Sequence, residues 1–239
     1  MIAVSNLTKV YGAFRAVDDL TFAVAPGEIL GLIGPNGAGK TSTLRCIAGI
    51  QSPSAGSISV AGHDLAREPV AAKRELAFFG DEPHLFEYLT VAEHLRLTAR
   101  IYHVRDFEAP TRALVRQLEL EGKEDALPGE LSRGMKQKVA IACGLLHRPK
   151  ALLFDEPLTG LDPLGIRRMK ETILEQGRGG ASVIVSSHLL HLVEEICTRI
   201  LILDRGVKVA DGTLAALSAQ AEPGSNLEQI FLAVTTRQD

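Results

Sequence analysis

The sequence predicts an α/β fold in which a sheet of buried strands is interrupted by a helical insert. Three observations carry this. Four short apolar runs have the length of buried strands: EILGLIG (28–34), ALLFD (151–155), SVIVSS (182–187) and RILILD (199–204). Each ends in polar residues or glycine, where open α/β sheets place their chemistry. From about residue 89 to 146 the texture changes to helical periodicity, without a convincing strand. Near the start, FRAVDDLTFAV (14–24) followed by APGE reads as an antiparallel hairpin leading into the first buried strand.

The helical insert has its own logic. TVAE (90–93) is a capping box, in which the Thr90 hydroxyl accepts from the backbone three residues on and Glu93 reaches back. Leu95, Ile101 and Tyr102 continue that helix. A second helix is expected near 107–120, with Leu114, Val115 and Leu118 on one face. EGKEDALPGE (121–130) breaks the pattern with Pro and Gly. A third helix follows from Ser132, with Met135, Val139, Ala142 and Leu146 as its apolar stripe. These stripes read as core packing. The expected organisation is an α/β core with a β subdomain over 1–83 and 147–212, a helical subdomain over 84–146, and a short helical appendage over 213–239.

Bulk properties exclude several classes of function. At 239 residues the chain can bury a substantial core. A net charge of −3 gives no basic footprint for nucleic acid. Cys46, Cys143 and Cys197 lack metal or disulfide spacing and read as reduced thiols. The N-terminus does not read as a signal peptide, and no apolar run approaches the roughly 20 residues that span a bilayer. Any membrane role must therefore come through a partner. His63, His84, His94, His103, His147 and His191 lack zinc spacing.

The chemistry begins at GPNGAGKT (34–41), which fits G-x-x-x-x-G-K-[ST] between an expected strand and an expected helix. Glycines let the backbone curl so that its N–H groups face phosphate oxygens, and the helix adds its positive end. Lys40 would reach the β- and γ-phosphates and Thr41 would offer its hydroxyl to Mg²⁺. Gly34, Pro35, Asn36, Gly37, Ala38, Gly39 and Ser42 complete the cradle. In ALLFDEP, Asp155 emerges at a strand end as a Mg²⁺ ligand, direct or through water. Its neighbour Glu156 is a general base for an attacking water.

A third element, LSRGMKQK (131–138), is weak alone, since a serine before a helix is usually an N-cap. Together with the other two it resembles the ATP-binding cassette (ABC) family over nearly the whole chain, and among its members the single-cassette subunits of bacterial exporters. LSRGM resembles that family's LSGGQ signature, and TGLDP (159–163) its D-loop. His188 in VSSH falls at the switch-histidine position. Tyr11 in VYG falls where the family stacks an aromatic ring on adenine, with Val17 nearby. The resemblance implies a RecA-like P-loop NTPase core with an antiparallel β subdomain and an inserted helical subdomain. It implies two cassettes, identical or different, pairing head to tail around ATP and Mg²⁺. Each ATP would lie between one P-loop and the other subunit's Ser132 and Gly134, with Asp162 at the same interface. It further implies separate polytopic membrane subunits, and so a cytoplasmic protein held peripherally at the inner face of the membrane.

Two signature positions depart from LSGGQ: Arg133 replaces Gly and Met135 replaces Gln. A third departure lies in LAFFGDEPHLF (76–86), where an expected strand runs into Asp81, Glu82, Pro83 and His84. The family commonly has Gln at the position aligned with Asp81, where it touches Mg²⁺ or the attacking water. Asp81 is expected to favour Mg²⁺ there, and a slip of one residue would give that role to Glu82. The alternative of a soluble cassette in DNA repair would call for long coiled-coil insertions, and no sustained heptads are seen. The ribosome-associated kind usually carries two cassettes, and this chain has room for one. A non-hydrolysing regulatory cassette fits poorly with Glu156, His188 and Ser132 all present. A GTPase or small-molecule kinase would leave LSRGM and TGLDP unexplained.

Overall fold

A computed structural model describes residues 1–159, 161–220 and 226–235. The main sheet is formed by β3 (Ile29–Ile33), β6 (Leu76–Phe79), β7 (Ala151–Asp155), β8 (Ser182–Ser186), β9 (Arg199–Asp204) and β10 (Val207–Gly212), in the order β10-β9-β3-β8-β7-β6. All of its pairings are parallel except that of β10 with β9. The four apolar runs are thus the four central strands. Their continuous hydrophobicity has a direct cause, because both faces of the sheet are covered. Along β8, Val183 and Val185 pack into one core and Ile184 into another.

The first core joins the helices α3 (Val91–Ile101), α5 (Arg133–Leu146) and α6 (Pro163–Arg178) to Phe79, Phe154, Val183 and Val185. Phe79 and Phe154 stack across neighbouring strands, ring centres 4.7 Å apart. The second core joins α1 (Lys40–Ile47) and an antiparallel sheet to the other face, through Leu30, Leu32, Leu153, Ile184 and Leu201. That second sheet has the order β2-β1-β4-β5 and contains β1 (Ile2–Tyr11), β2 (Phe14–Val24), β4 (Ala55–Val60) and β5 (His63–Asp64).

The hairpin expected within 14–24 is corrected here. That run is one strand, β2, and its antiparallel partner is β1, with the turn at residues 12 and 13 and Tyr11 opposite Phe14. Asp18 and Asp19 sit where the register shifts, and Asp19 takes φ +49°. Its left-handed backbone marks a bulge that absorbs the extra residue.

The insert follows β6. Thr90 caps α3, accepting from Glu93 N–H at 3.3 Å while the Glu93 carboxylate accepts from Thr90 N–H at 2.8 Å. The second helix, α4 (Glu108–Gln117), buries Val115, with Leu118 also buried just beyond its end. Ser132 caps α5, accepting from Met135 N–H at 3.2 Å, and Val139, Ala142 and Leu146 face the core. In the remaining stretches, α2 (Pro69–Arg74) precedes β6 and α7 (Leu190–Ile196) precedes β9. The expected appendage contains α8 (Leu214–Gln220) and α9 (Leu227–Thr235). Leu217, Leu227 and Ile230 bury against Ile200 and Ile202 of β9 and Val193 of α7. Residues 221–225 and 236–239 of that appendage, and Gly160 of TGLDP, lie outside the described residues.

Candidate active site

Three neighbouring parallel strands, β3, β8 and β7, deliver the site at their C-terminal ends. From β3 the chain enters the glycine-rich loop and then α1. The loop is held from behind by the turn after β9, where Gly206 N–H donates to Ala38 O at 3.1 Å and Asp18 N–H donates to Gly206 O at 2.9 Å. At Gly39 the backbone takes φ +101° and passes so close to β2 that an added Cβ would lie 2.3 Å from Ala16 O. The fully buried Val17 packs on the same glycine. Gly39→Ala combines left-handed strain with a backbone clash. It is expected to destabilise the fold by about 2 kcal/mol or more. Urea unfolding of the two proteins measures this directly.

Pro35, Asn36 and Gly37 are exposed at the loop tip, whereas Gly34, Ala38, Gly39 and Lys40 are buried. The Lys40 ammonium turns inward and donates to Gly34 O at 2.7 Å and Pro35 O at 3.2 Å. Burial pushes its pKa below the ordinary lysine value, and the carboxylates of Glu156 and Asp155 partly oppose that shift. An anion seated on the loop would offset the same desolvation, because it stabilises the charged form. Ser42 lies beside Tyr11, whose hydroxyl donates to Gln51 Oε1 and lies 3.4 Å from Ser42 Oγ. Lys9 sits over the Tyr11 ring at 4.9 Å. The ring is thus tied to the loop helix from the β1 end, and the hydrogen-bond partner Gln51 carried no sequence signal.

From β7 comes Asp155, buried at the strand end. Its Oδ1 accepts from Thr41 Oγ1 at 3.2 Å and from Ser186 Oγ at 2.6 Å. Ser186 lies on β8, next to β7, and joins Asp155 to its neighbour Glu156: the hydroxyl donates to Asp155 and accepts from Glu156 N–H. Sequence reasoning passed over Ser186. The signal was there, as a buried polar side chain at the end of an apolar strand. Thr41 and Asp155 together offer a hydroxyl and a carboxylate, the oxygen donors that Mg²⁺ takes alongside phosphate and water. Among the described residues no group of three or more His, Cys, Asp or Glu side chains converges as a metal site. A site of two protein oxygens finished by the nucleotide suits Mg²⁺.

Glu156 has φ +51°, an uncommon conformation for a residue with a side chain. Two bonds hold it there: its N–H donates to Ser186 Oγ at 3.0 Å and to Ser186 O at 3.2 Å. The twist turns the carboxylate toward the β8 end, where its Oε2 lies 2.9 Å from His188 Nδ1 and accepts from His188 N–H at 3.4 Å. With the proton on Nδ1, the imidazole orients the carboxylate and keeps a lone pair on Nε2. Thr41, Asp155, Glu156 and His188 are therefore brought together by two direct contacts and one serine.

The other expected residues form two further groups. Ser132, Gly134 and Asp162 line one cavity of about 810 Å³, apart from the P-loop. Each of the two oxygens in that group caps a helix, since Asp162 Oδ1 accepts from Gly165 N–H at 2.6 Å at the start of α6. Asp81 lies in the wall of a second cavity of about 940 Å³, which Thr41, Asp155 and Glu156 also line. Its Oδ1 accepts from Arg133 at 3.2 Å rather than bonding to Thr41 or Asp155. Glu82 and His84 stand in the same wall, both exposed. The buried Gln137 of α5, absent from the expected set, donates to Pro157 O at 2.7 Å, next to Glu156.

The family model described as ABC transporter matches residues 17–159. The ABC-type transporter ATP-binding protein EcsA of Bacillus subtilis is 37% identical over 98% of this chain and 96% of the relative. The Nod factor export ATP-binding protein I of Paraburkholderia xenovorans is 37% identical over 96% of this chain and 76% of the relative. Among solved structures, an ATP-binding subunit of an ABC transporter superposes with a TM-score of 0.93 at 38% identity, covering 98% of this chain and 99% of that one. A dimeric cassette in a post-hydrolysis state with ADP and phosphate shares the fold, with a TM-score of 0.82 at 23% identity over 90% of this chain and 99% of that one.

Proposed function

The chain belongs to the ABC transporter family as an ATP-hydrolysing, ATP-binding subunit, and from that premise we propose that it pairs with a second cassette around ATP and drives separate membrane subunits. The observation that carries the catalytic part is the convergence of Thr41, Asp155, Glu156 and His188 at three adjacent strand ends. Lys40 and the loop N–H groups hold the phosphates and Tyr11 flanks the base, while Val17, expected beside the base, is fully buried against Gly39 and supports the loop instead. Thr41 and Asp155 would hold Mg²⁺, whereas Asp81, the third expected ligand, is engaged by Arg133. Bound Mg²⁺ would screen the phosphate charge. Glu156 takes the proton from a water aligned on the γ-phosphorus, and His188 holds that carboxylate in place. The water oxygen bonds to phosphorus, and the bond to the bridging oxygen of ADP breaks.

Pairing follows from the cavity lined by Ser132, Gly134 and Asp162. Ser132 and Gly134 sit at the N-terminus of the 14-residue helix α5, whose unsatisfied N–H groups and positive end suit a γ-phosphate. They line a face apart from their own P-loop, so a second cassette must supply the nucleotide they contact, with Asp162 on the same face. ATP then joins the two subunits, and its hydrolysis weakens the joint.

The membrane partner is supported by a different feature. The larger cavity opens from Glu156 and Asp81 to the exposed apolar side chains of Phe86 and Ile101. No described helix is long and apolar enough to cross a membrane. A cytoplasmic segment of a polytopic subunit is the occupant assigned to this groove, and it would hold the protein at the inner face of the membrane. Export is the direction favoured, because the Nod factor relative is named for it. Affinity purification from a detergent extract is expected to recover a polytopic membrane protein, whose removal lowers ATPase activity. Recovery of only ribosomes or nucleic acid would overturn the transport reading.

A further inference from the structure

Two of the three motif departures meet in space. Arg133, in the signature, and Asp81, after β6, are 52 residues apart, yet one guanidinium nitrogen donates to Asp81 Oδ1 at 3.2 Å and to Asp81 O at 3.4 Å. We propose that Asp81 and Arg133 act as one positioning unit that sets the angle at which α5 presents Ser132 and Gly134 to the partner's nucleotide. The proposal rests on the ATP-sandwich reading above.

The helix geometry supports it. Arg133 and Gln137 are four residues apart on α5 and so share one face. Arg133 holds the loop after β6, and Gln137 holds Pro157 in the loop after β7. Strands β6 and β7 are direct neighbours, with Phe79 paired to Phe154. The first turns of α5 are therefore tied to two adjacent strand-end loops, one leading to the groove and the other beside Glu156. The two ties differ in strength. Gln137 is buried, so its bond is made away from water. The Asp81–Arg133 pair has side-chain exposures of 53% and 49%, so water and salt screen it and it adds little to folding. A tie that weak can open and re-form, while the buried bond acts as the pivot. Asp81 thereby works through Arg133, as a positioning residue, and a partner seated in the groove reaches the signature through the same contact.

The test uses the full chain carrying Glu156→Gln, so that ATP-dependent dimers accumulate, and reads the ATP concentration for half-maximal dimer by light scattering. Asp81→Ala and Arg133→Ala are each expected to raise it about threefold to fivefold, the scale of an exposed pair. The double variant should match the single ones, because both remove the same contact. Arg133→Lys, which keeps the cation, should stay within about twofold of the parent. Multiplied effects in the double variant, as expected if Asp81 acted on Mg²⁺ independently, would overturn the unit. So would a single variant without effect, or Arg133→Lys as impaired as Arg133→Ala. If Glu156→Gln alone forms no dimer with ATP, the sandwich reading fails as well, which separates that failure from failure of the pair alone.

Discussion

Glu156→Gln is expected to lower the turnover number by about 10²- to 10⁴-fold, the usual contribution of a general base, while ATP affinity is kept. The amide keeps the size of the carboxylate and an oxygen that accepts from His188. It cannot take a proton from water. The strained backbone at φ +51° is held by Ser186 through main-chain N–H bonds that the substitution does not touch. Binding is carried by the loop after β3, on another strand. The variant therefore separates chemistry from binding, and ATP-bound dimers should accumulate. Steady-state phosphate release together with an ATP titration decides the matter, and wild-type turnover in the variant would remove Glu156 from the proposed base role.

Lys40→Ala should do the reverse. Removing a charged partner of a buried phosphate costs about 2–5 kcal/mol, equivalent to roughly 30- to several-thousandfold in affinity. The ammonium is already desolvated in the loop, where it rests on the Gly34 and Pro35 carbonyls. Two carbonyl groups are thus its resting partners, and phosphate oxygens of opposite charge are better ones. Thermal unfolding provides a second reading. Mg·ATP in excess should raise the melting temperature of the wild type by mass action and raise that of the variant less. An unaltered dissociation constant in Lys40→Ala would refute the assignment.

The parts of this protein that were legible in the sequence are those in which one local stretch specifies both structure and chemistry. Residues 28–41 state a strand, a loop that needs glycine and a helix start in fourteen consecutive positions. The runs 151–155 and 199–204 became strands with the same bounds, because strands covered on both faces need unbroken apolar side chains. The Thr90 capping box was equally readable, since donor and acceptor lie three residues apart. Where local and long-range signals conflicted, the sequence misled. The run 14–24 followed by APGE read as a hairpin, but pairing with β1 along the whole run makes it one strand, with a bulge at Asp18 and Asp19.

The sequence by itself determined the family resemblance, the four central strands and the identity of the P-loop and acid residues, because each is encoded in short contiguous segments. Only the tertiary structure decided how they meet. Ser186 joins Asp155 to Glu156 because β8 runs beside β7, and strand order is not written in any one segment. Asp81 and Arg133 read separately as two departures from familiar motifs. The fold joins them into one ion pair across 52 residues, because the packing of α5 against the ends of β6 and β7 brings their loops within reach. A contact between distant segments depends on how whole elements pack, and that packing is settled by the two cores together rather than by the residues that make the contact.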